Sequence, residues 1–200
     1  MSSNITGFTG AHRTGKTTLV NHLSGLSSPA VRREVSISDL QAKGGWDSSN
    51  QSYDWETRKE IQIYLLIQFR ELLIDAVHKR AWNSAILTDR TPLDLVGYLL
   101  LSAPKDPTEE DVNFINNYTS DCVKLTNEFY NQIYFVQPGI PYKPDAKSAS
   151  YESIEELSDI YSALLLSQRL KPTLHIIPRD MTEFTQRINF IRGTSNVRLH

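Results

Sequence analysis

Gly10, Ala11, His12, Arg13, Thr14, Gly15, Lys16 and Thr17 fit the pattern G-x-x-x-x-G-K-[ST]. Those residue types in that spacing build an anion cradle. Gly10 and Gly15 admit backbone conformations that turn successive N–H groups inward around phosphate oxygens. Ala11, His12, Arg13, Thr14 and Thr18 add main-chain donors, and His12, at a variable position, is expected to lend only its N–H. Lys16 is placed to reach the outer phosphates of ATP, and the Thr17 hydroxyl to ligate Mg²⁺. A second stretch, Ala85 to Asp89, is an apolar strand ending in a carboxylate. That carboxylate is expected beside Thr17, where it would help hold Mg²⁺. Arg90 follows at once and belongs to the same strand end. Here an anionic substrate could bind, outside the carboxyl ends of a parallel sheet.

Such groups meet only if the chain folds as alternating strands and helices. Ile5 to Thr9 reads as a short strand, and Lys16 to Leu26 as a helix with Leu19, Val20 and Leu23 on one face. Val31 to Val35 reads as a second strand and 43–51 as a loop. From Asp54 to Trp82 runs the longest helical pattern, with Ile61, Leu65, Leu66, Phe69, Leu72, Leu73 and Val77 at spacings of three and four. Ser84 to Thr88 is the next strand. Thr91, Pro92 and Asp94 mark a helix start, with Thr as cap, Pro first and an acid three residues after the cap. Pro104 and Pro107 end that helix. Thr108 caps another, whose face carries Val112, Ile115, Cys122, Leu125 and Phe129. Ile133–Val136 is a strand, 137–150 a proline-rich loop, Ser153–Leu170 a helix, Thr173–Ile177 a strand and Thr182–Ile191 a closing helix. The alternation implies an α/β fold, a parallel sheet flanked by helices, in one domain over residues 1–200.

Composition narrows the function. The 200 residues carry 21 basic and 23 acidic side chains, a formal charge of −2, which disfavours nucleic acid as partner without excluding it. Before Glu34 there is no acidic residue, although Arg13, Lys16, Arg32 and Arg33 are present. The N-terminal third is therefore expected to hold a local anion site. No apolar run has membrane-spanning length, and the first residues lack the features of a secretory signal. With a single cysteine, Cys122, the expectation is a cytoplasmic protein without disulfide or zinc. Membrane is not an expected partner, and assembly as a homodimer is left open.

The chain is short for an AAA⁺ motor with its added helical domain, and no guanine-reading Asn-Lys-x-Asp or Thr-Lys-x-Asp motif occurs. That leaves the nucleotide-kinase-like branch of the P-loop NTPases. The cradle, the run Asp89, Arg90, Thr91, Pro92, Leu93, Asp94 and the run from Pro138 through Tyr142 to Asp145 together resemble the NadR-type P-loop kinases. That group includes nicotinamide riboside kinase domains and related nucleotide kinases. The resemblance implies ATP and Mg²⁺ as cofactors and a short lid at about 138–150. The family's lid usually has an arginine where this chain has Lys147, which lacks the bidentate reach of arginine.

Acceptor chemistry turns on Arg33 and Glu34. An alcohol acceptor benefits from a carboxylate base, whereas a phosphate acceptor needs arginines. By resemblance to deoxynucleoside kinases Glu34 would be the base; by resemblance to thymidylate kinases Arg33 would bind an acceptor monophosphate, with Arg90 as a second clamp. Two arginines favour a (deoxy)nucleoside monophosphate as acceptor. Lys16, Asp89, Arg90, Glu34 and Lys147 are the expected catalytic set. Arg33, Glu34, Gln68 and Arg90 are the expected acceptor-binding set. A polar residue beside a buried stripe, such as Gln62, reads first as a boundary residue, and the lone aromatics Tyr142 and Trp46 read first as packing, with stacking on a base as the alternative. The competing readings are a nucleoside kinase of the nicotinamide riboside type, a kinase for hydroxyls in DNA or RNA, and a nucleotide-binding regulatory module.

Overall fold

The structure, a computed structural model, describes residues 5–26, 30–33, 36–47, 53–79, 85–141 and 150–195; at residues 26 and 30–33 it describes the backbone alone. Among the described residues five strands form one sheet: β1 (Ile5–Thr9), β2 (Ala30–Arg33), β3 (Ala85–Thr88), β4 (Tyr130–Val136) and β5 (Thr173–Ile177). All neighbours run parallel, in the order β2-β3-β1-β4-β5. The helices are α1 (Lys16–Leu26), α2 (Ile37–Lys43), α3 (Trp55–Lys79), α4 (Pro92–Leu101), α5 (Glu109–Phe129), α6 (Tyr151–Ser167) and α7 (Phe184–Thr194). Among the described residues no helix is long and apolar enough to cross a membrane.

Two apolar cores explain the layering. Residues pointing to opposite faces alternate along a strand. On one face Phe8, Leu87, Tyr134 and Ile177 pack with Leu19, Val20 and Leu23 of α1 and Ile188 and Ile191 of α7. On the other, Ile5, Ile86, Ile133 and Phe135 pack with α3, α4, α5 and α6. The expected stripe of α3 supplies Ile61, Leu65, Phe69 and Leu73, all buried, while Leu66, Leu72 and Val77 are half-buried at its margin. Burying a large apolar side chain contributes roughly 1.5–3 kcal/mol. These rows therefore outweigh the weaker helix preference of the β-branched residues among them.

Register places the chemistry. Arg33 of β2 lies level with Thr88 of β3, and Thr88 with Gly7 of β1, so the segments after Thr9 and Thr88 leave from the same carboxyl edge. The chain steps from β1 outward to β2, fills the gap with β3, then crosses to β4 on the far side of β1. The edge between β1 and β3 is the point where direction reverses, and there open parallel sheets bind ligands.

Several local readings need correction. Residues 37–43 carry no apolar stripe long enough to predict a helix. Yet Ser36 caps α2, its hydroxyl accepting from the Asp39 N–H at 3.2 Å, and Leu40 is the one buried side chain that holds it down. β4 begins earlier than expected, because the Asn131 side chain accepts from the Ile5 N–H at 3.2 Å across a shift in register. Val112 is 42% exposed, outside the buried face of α5. Helices α6 and α7 lie at 151–167 and 184–194, displaced by two or three residues from the expected bounds.

One close contact tests this packing. A methyl on Gly97 of α4 would fall 2.6 Å from Tyr161 Cζ, and Tyr161 is fully buried with its hydroxyl donating to the Asp94 carbonyl at 3.2 Å. Gly97→Ala should lower stability by about 2 kcal/mol despite the better helix propensity of alanine. The check is the free energy of unfolding in urea; an unchanged or raised value would mean that α4 and α6 are not so tightly apposed.

Candidate active site

The cradle between β1 and α1 has the backbone that its sequence requires. Gly10 and Gly15 adopt φ 141° and 91°, and a side chain at Gly10 would also strike the Val136 carbonyl, 2.5 Å from the Cβ position. Arg13 adopts φ 59°, a left-handed conformation that costs a residue with a side chain on the order of 1 kcal/mol. Lys16 is buried, and its ammonium donates to the Ala11 carbonyl and, at 3.2 Å, to the Thr14 hydroxyl. Burial and the nearby Arg90 charge hold the Lys16 pKa well below the ordinary lysine value, with Asp94 and Asp89 opposing. A buried cation satisfied by a carbonyl and a hydroxyl suits an incoming anion.

Thr17 at the start of α1 donates its hydroxyl proton to Asp89 Oδ2 at 3.0 Å. The expected meeting of these two groups is therefore formed, by residues 72 positions apart in sequence. A hydroxyl and a carboxylate are hard oxygen donors of the type that Mg²⁺ takes. Among the described residues no cluster of three His, Cys, Asp or Glu could hold a metal alone.

Arg90 crosses from β3 to the cradle. Its Nη1 donates to the Gly10 carbonyl at 3.2 Å and to Asp94 Oδ1 at 3.1 Å, and its guanidinium lies 5.8 Å from the centre of the Tyr98 ring. Burial opposes the Arg90 charge, but Tyr98, Asp94 and Tyr161 outweigh it and raise the pKa above the usual value. Asp94, with no exposed surface, also accepts from the Thr91 N–H at 2.8 Å and its hydroxyl at 3.0 Å. The carboxylate predicted to begin α4 thus also anchors the arginine.

His12 departs from the sequence expectation that it lends only its N–H. Its Nε2 lies 2.9 Å from the Tyr98 hydroxyl, with ring centroids 5.3 Å apart. Although the residue keeps exposed surface, partial desolvation of the ring together with the Arg90, Lys16 and Arg13 charges lowers its pKa to about 4. The ring is therefore neutral near pH 7. Nothing in the motif pattern signals this contact, because Tyr98 lies on another element.

The remaining candidates are scattered. Arg33 ends β2 level with Thr88, while Glu34, Tyr142 and Lys147 lie outside the described residues, as does most of the 138–150 segment. Gln68 is half-buried and bonds Glu71 along α3 at 3.2 Å, and no hydrogen bond among the described residues ties it to the cradle. The main-chain and side-chain oxygens of Gln62 share the proton of the Tyr118 hydroxyl, each at 3.0 Å, and so join α3 to α5. Trp46 packs edge-on against Tyr64, and Cys122 is a buried thiol whose pKa burial pushes up. Sequence reasoning missed Arg187 of α7. It is 1% exposed, and its Nη1 donates to the Thr14 carbonyl at 2.6 Å. A helical residue far from the motif gives no sequence signal of such a role. Arg187 also lines a cavity of about 70 Å³ beside the cradle, with Gly15, Leu19, Ile140 and Phe184.

A family model described as an AAA domain matches residues 6–183, from β1 to the turn before α7. The chain belongs to that AAA-domain family. This placement among P-loop domains is coarser than the NadR-type group, whose likeness rests on the motifs alone. No curated protein matches the sequence. Solved structures share its fold. The thymidylate kinase from Candida albicans is 14% identical, with a TM-score of 0.65 over 96% of this chain and 90% of that one. The deoxyadenosine kinase from M. mycoides with bound dATP is 16% identical, with a TM-score of 0.68 over 94% of this chain and 97% of that one. A second structure of that kinase, with dCTP bound, gives 0.63 at 14% identity, again over 94% and 97%. At such identities the likeness is one of fold, and the P-loop, parallel-sheet architecture read from this AAA-domain sequence is the one found.

The depressed pKa of His12 has a consequence for stability. As pH falls through 6.5 the unfolded chain protonates His12, while the native ring stays neutral until about pH 4. The native state is therefore progressively disfavoured over that window. Wild-type protein should lose more stability between pH 7 and pH 5 than His12→Gln, which keeps a partner for Tyr98. Urea midpoints at both pH values check this, and equal losses would mean that His12 titrates normally.

Proposed function

We propose that this protein is an ATP- and Mg²⁺-dependent kinase that transfers the γ-phosphoryl group to a (deoxy)nucleoside monophosphate. The observation that carries the reading is the contact of Thr17 with Asp89 at 3.0 Å directly beside the Lys16 cradle, with Arg90 at its rim. The proposal treats residues 1–200 as one kinase domain with a lid near 138–150.

Phosphoryl transfer needs alignment and charge neutralisation more than covalent help. Loop N–H groups and Lys16 would bind the donor's outer phosphates, and Thr17 with Asp89 would hold the metal. When bound, Mg²⁺ supplies positive charge to the phosphate oxygens; with so few protein oxygens here, the nucleotide itself and water would complete its shell. The hydrogen bonds described for Arg90 use Nη1, which leaves Nη2 for an acceptor phosphate. Asp94 fixes the direction of that arginine. Arg33, at the same sheet edge, would provide the second acceptor contact, and Lys147 would neutralise the phosphoryl group in flight. The hollow beside Gly15, Leu19 and Phe184 is suited by its apolar lining to the donor's base.

A nucleoside acceptor, with Glu34 as base, is the second reading. Its support is the fold shared with deoxyadenosine kinase, which at a TM-score of 0.68 is as near as thymidylate kinase at 0.65. Labelled ATP with a panel of nucleosides and nucleoside monophosphates separates the two. Phosphate should pass to monophosphates; labelling of nucleosides alone would replace the first reading with the second. Lys16→Ala should reduce transfer by at least about a hundredfold, and Asp89→Asn should raise the Mg²⁺ concentration required. Tight ATP binding without transfer to any acceptor would instead favour a regulatory module.

A further inference from the structure

Arg187 is a buried guanidinium with no carboxylate partner among the described residues. Its Nε donates to the Met181 carbonyl at 2.6 Å, in the turn before α7, and its Nη1 to the Thr14 carbonyl at 2.6 Å. Its Nη2 is buried without a hydrogen-bond partner, and it lies 2.7 Å from where a side chain at Gly139 would begin. Burial lowers its pKa from the usual arginine value. An uncompensated cation inside a protein is costly, so its retention at this spot calls for a physical account.

Thr14 C=O and Gly15 N–H belong to one peptide unit and point in opposite directions. For Gly15 N–H to face an anion in the cradle, Thr14 C=O must face away from it. A cationic donor on that carbonyl fixes the direction. It also polarises the peptide, so that the N–H on the other side becomes a stronger donor. We propose that Arg187 is a positioning residue of the phosphate loop, binding Thr14 C=O outward so that Gly15 N–H is presented to the donor's phosphate. It touches the loop from behind and need not touch the nucleotide. The inference rests on reading the loop as a phosphate cradle but not on the identity of the acceptor.

The test measures binding of pyrophosphate and MgATP by calorimetry, with circular dichroism at the same temperature to confirm the fold. Arg187→Met should weaken both ligands about tenfold or more, the scale of one charge-assisted hydrogen bond. Arg187→Lys can still donate to Thr14 C=O but cannot bridge to Met181 as well, and should restore part of the loss. A folded Arg187→Met protein that binds pyrophosphate as wild type does would overturn the proposal. Wild-type protein offers a measurement independent of variant folding. Pyrophosphate should shift the Arg187 Nε–H resonance together with the Gly15 amide, and a shift of the amide with Arg187 unmoved would also overturn it. Wild-type protein that binds neither ligand would refute the cradle itself, and with it the kinase reading.

Discussion

A peptide unit carries its donor and its acceptor on opposite sides, so a loop that aims N–H groups at one point must have its carbonyls bound outside. In this chain that binding is done by cations. Gly10 C=O accepts from Arg90, Ala11 C=O from Lys16 and the Thr14 hydroxyl, and Thr14 C=O from Arg187. The three basic residues follow β3, open α1 and sit on α7 respectively. The shape of the loop is therefore set by tertiary packing as much as by its glycines. Anything that moves α4 or α7 against the sheet acts on the anion site.

Those cations are held by different means. Arg90 is neutralised by Asp94, which has no exposed surface and is itself fixed by Thr91. Lys16 and Arg187 are buried among carbonyls and hydroxyls, and burial lowers the pKa of both. The buried Lys16 ammonium favours a bound polyanion, because phosphate oxygens would offset part of its desolvation cost. A formal charge of −2 over 200 residues conceals this, because the acidic residues lie mostly elsewhere in the chain. Net charge bears on long polyanions such as nucleic acid; it says little about a small one held in a cleft.

Much of the arrangement could be read from sequence where a local pattern carried the signal. All five strands, the cap at Thr91 and the apolar stripe of α3 follow from periodicity and capping chemistry, and the meeting of Thr17 with Asp89 follows from strand alternation. What stayed hidden depends on contacts between elements. The seven residues of α2 carry no stripe long enough to register as periodic, and the early start of β4 depends on a side chain of Asn131. His12 meets Tyr98 across 86 residues, and Arg187 meets Thr14 across 173. The pattern of a loop names its own residues; it cannot name those that hold it from behind.

The two arginines also divide the site. Arg90 binds Gly10 C=O from the side of α4 and of β2, the side on which the proposed reaction would place its acceptor. Arg187 binds Thr14 C=O from the side of α7, next to the apolar hollow proposed for the donor's base. Three residues of one loop thus separate a contact on the proposed acceptor side from one on the proposed donor side. Each arginine that withdrew would leave a buried carbonyl unsatisfied, at about 1–3 kcal/mol. The loop between them can therefore tolerate little independent movement of its two ends. The proposed reaction asks for that stiffness, since phosphoryl transfer depends on holding donor and acceptor in line.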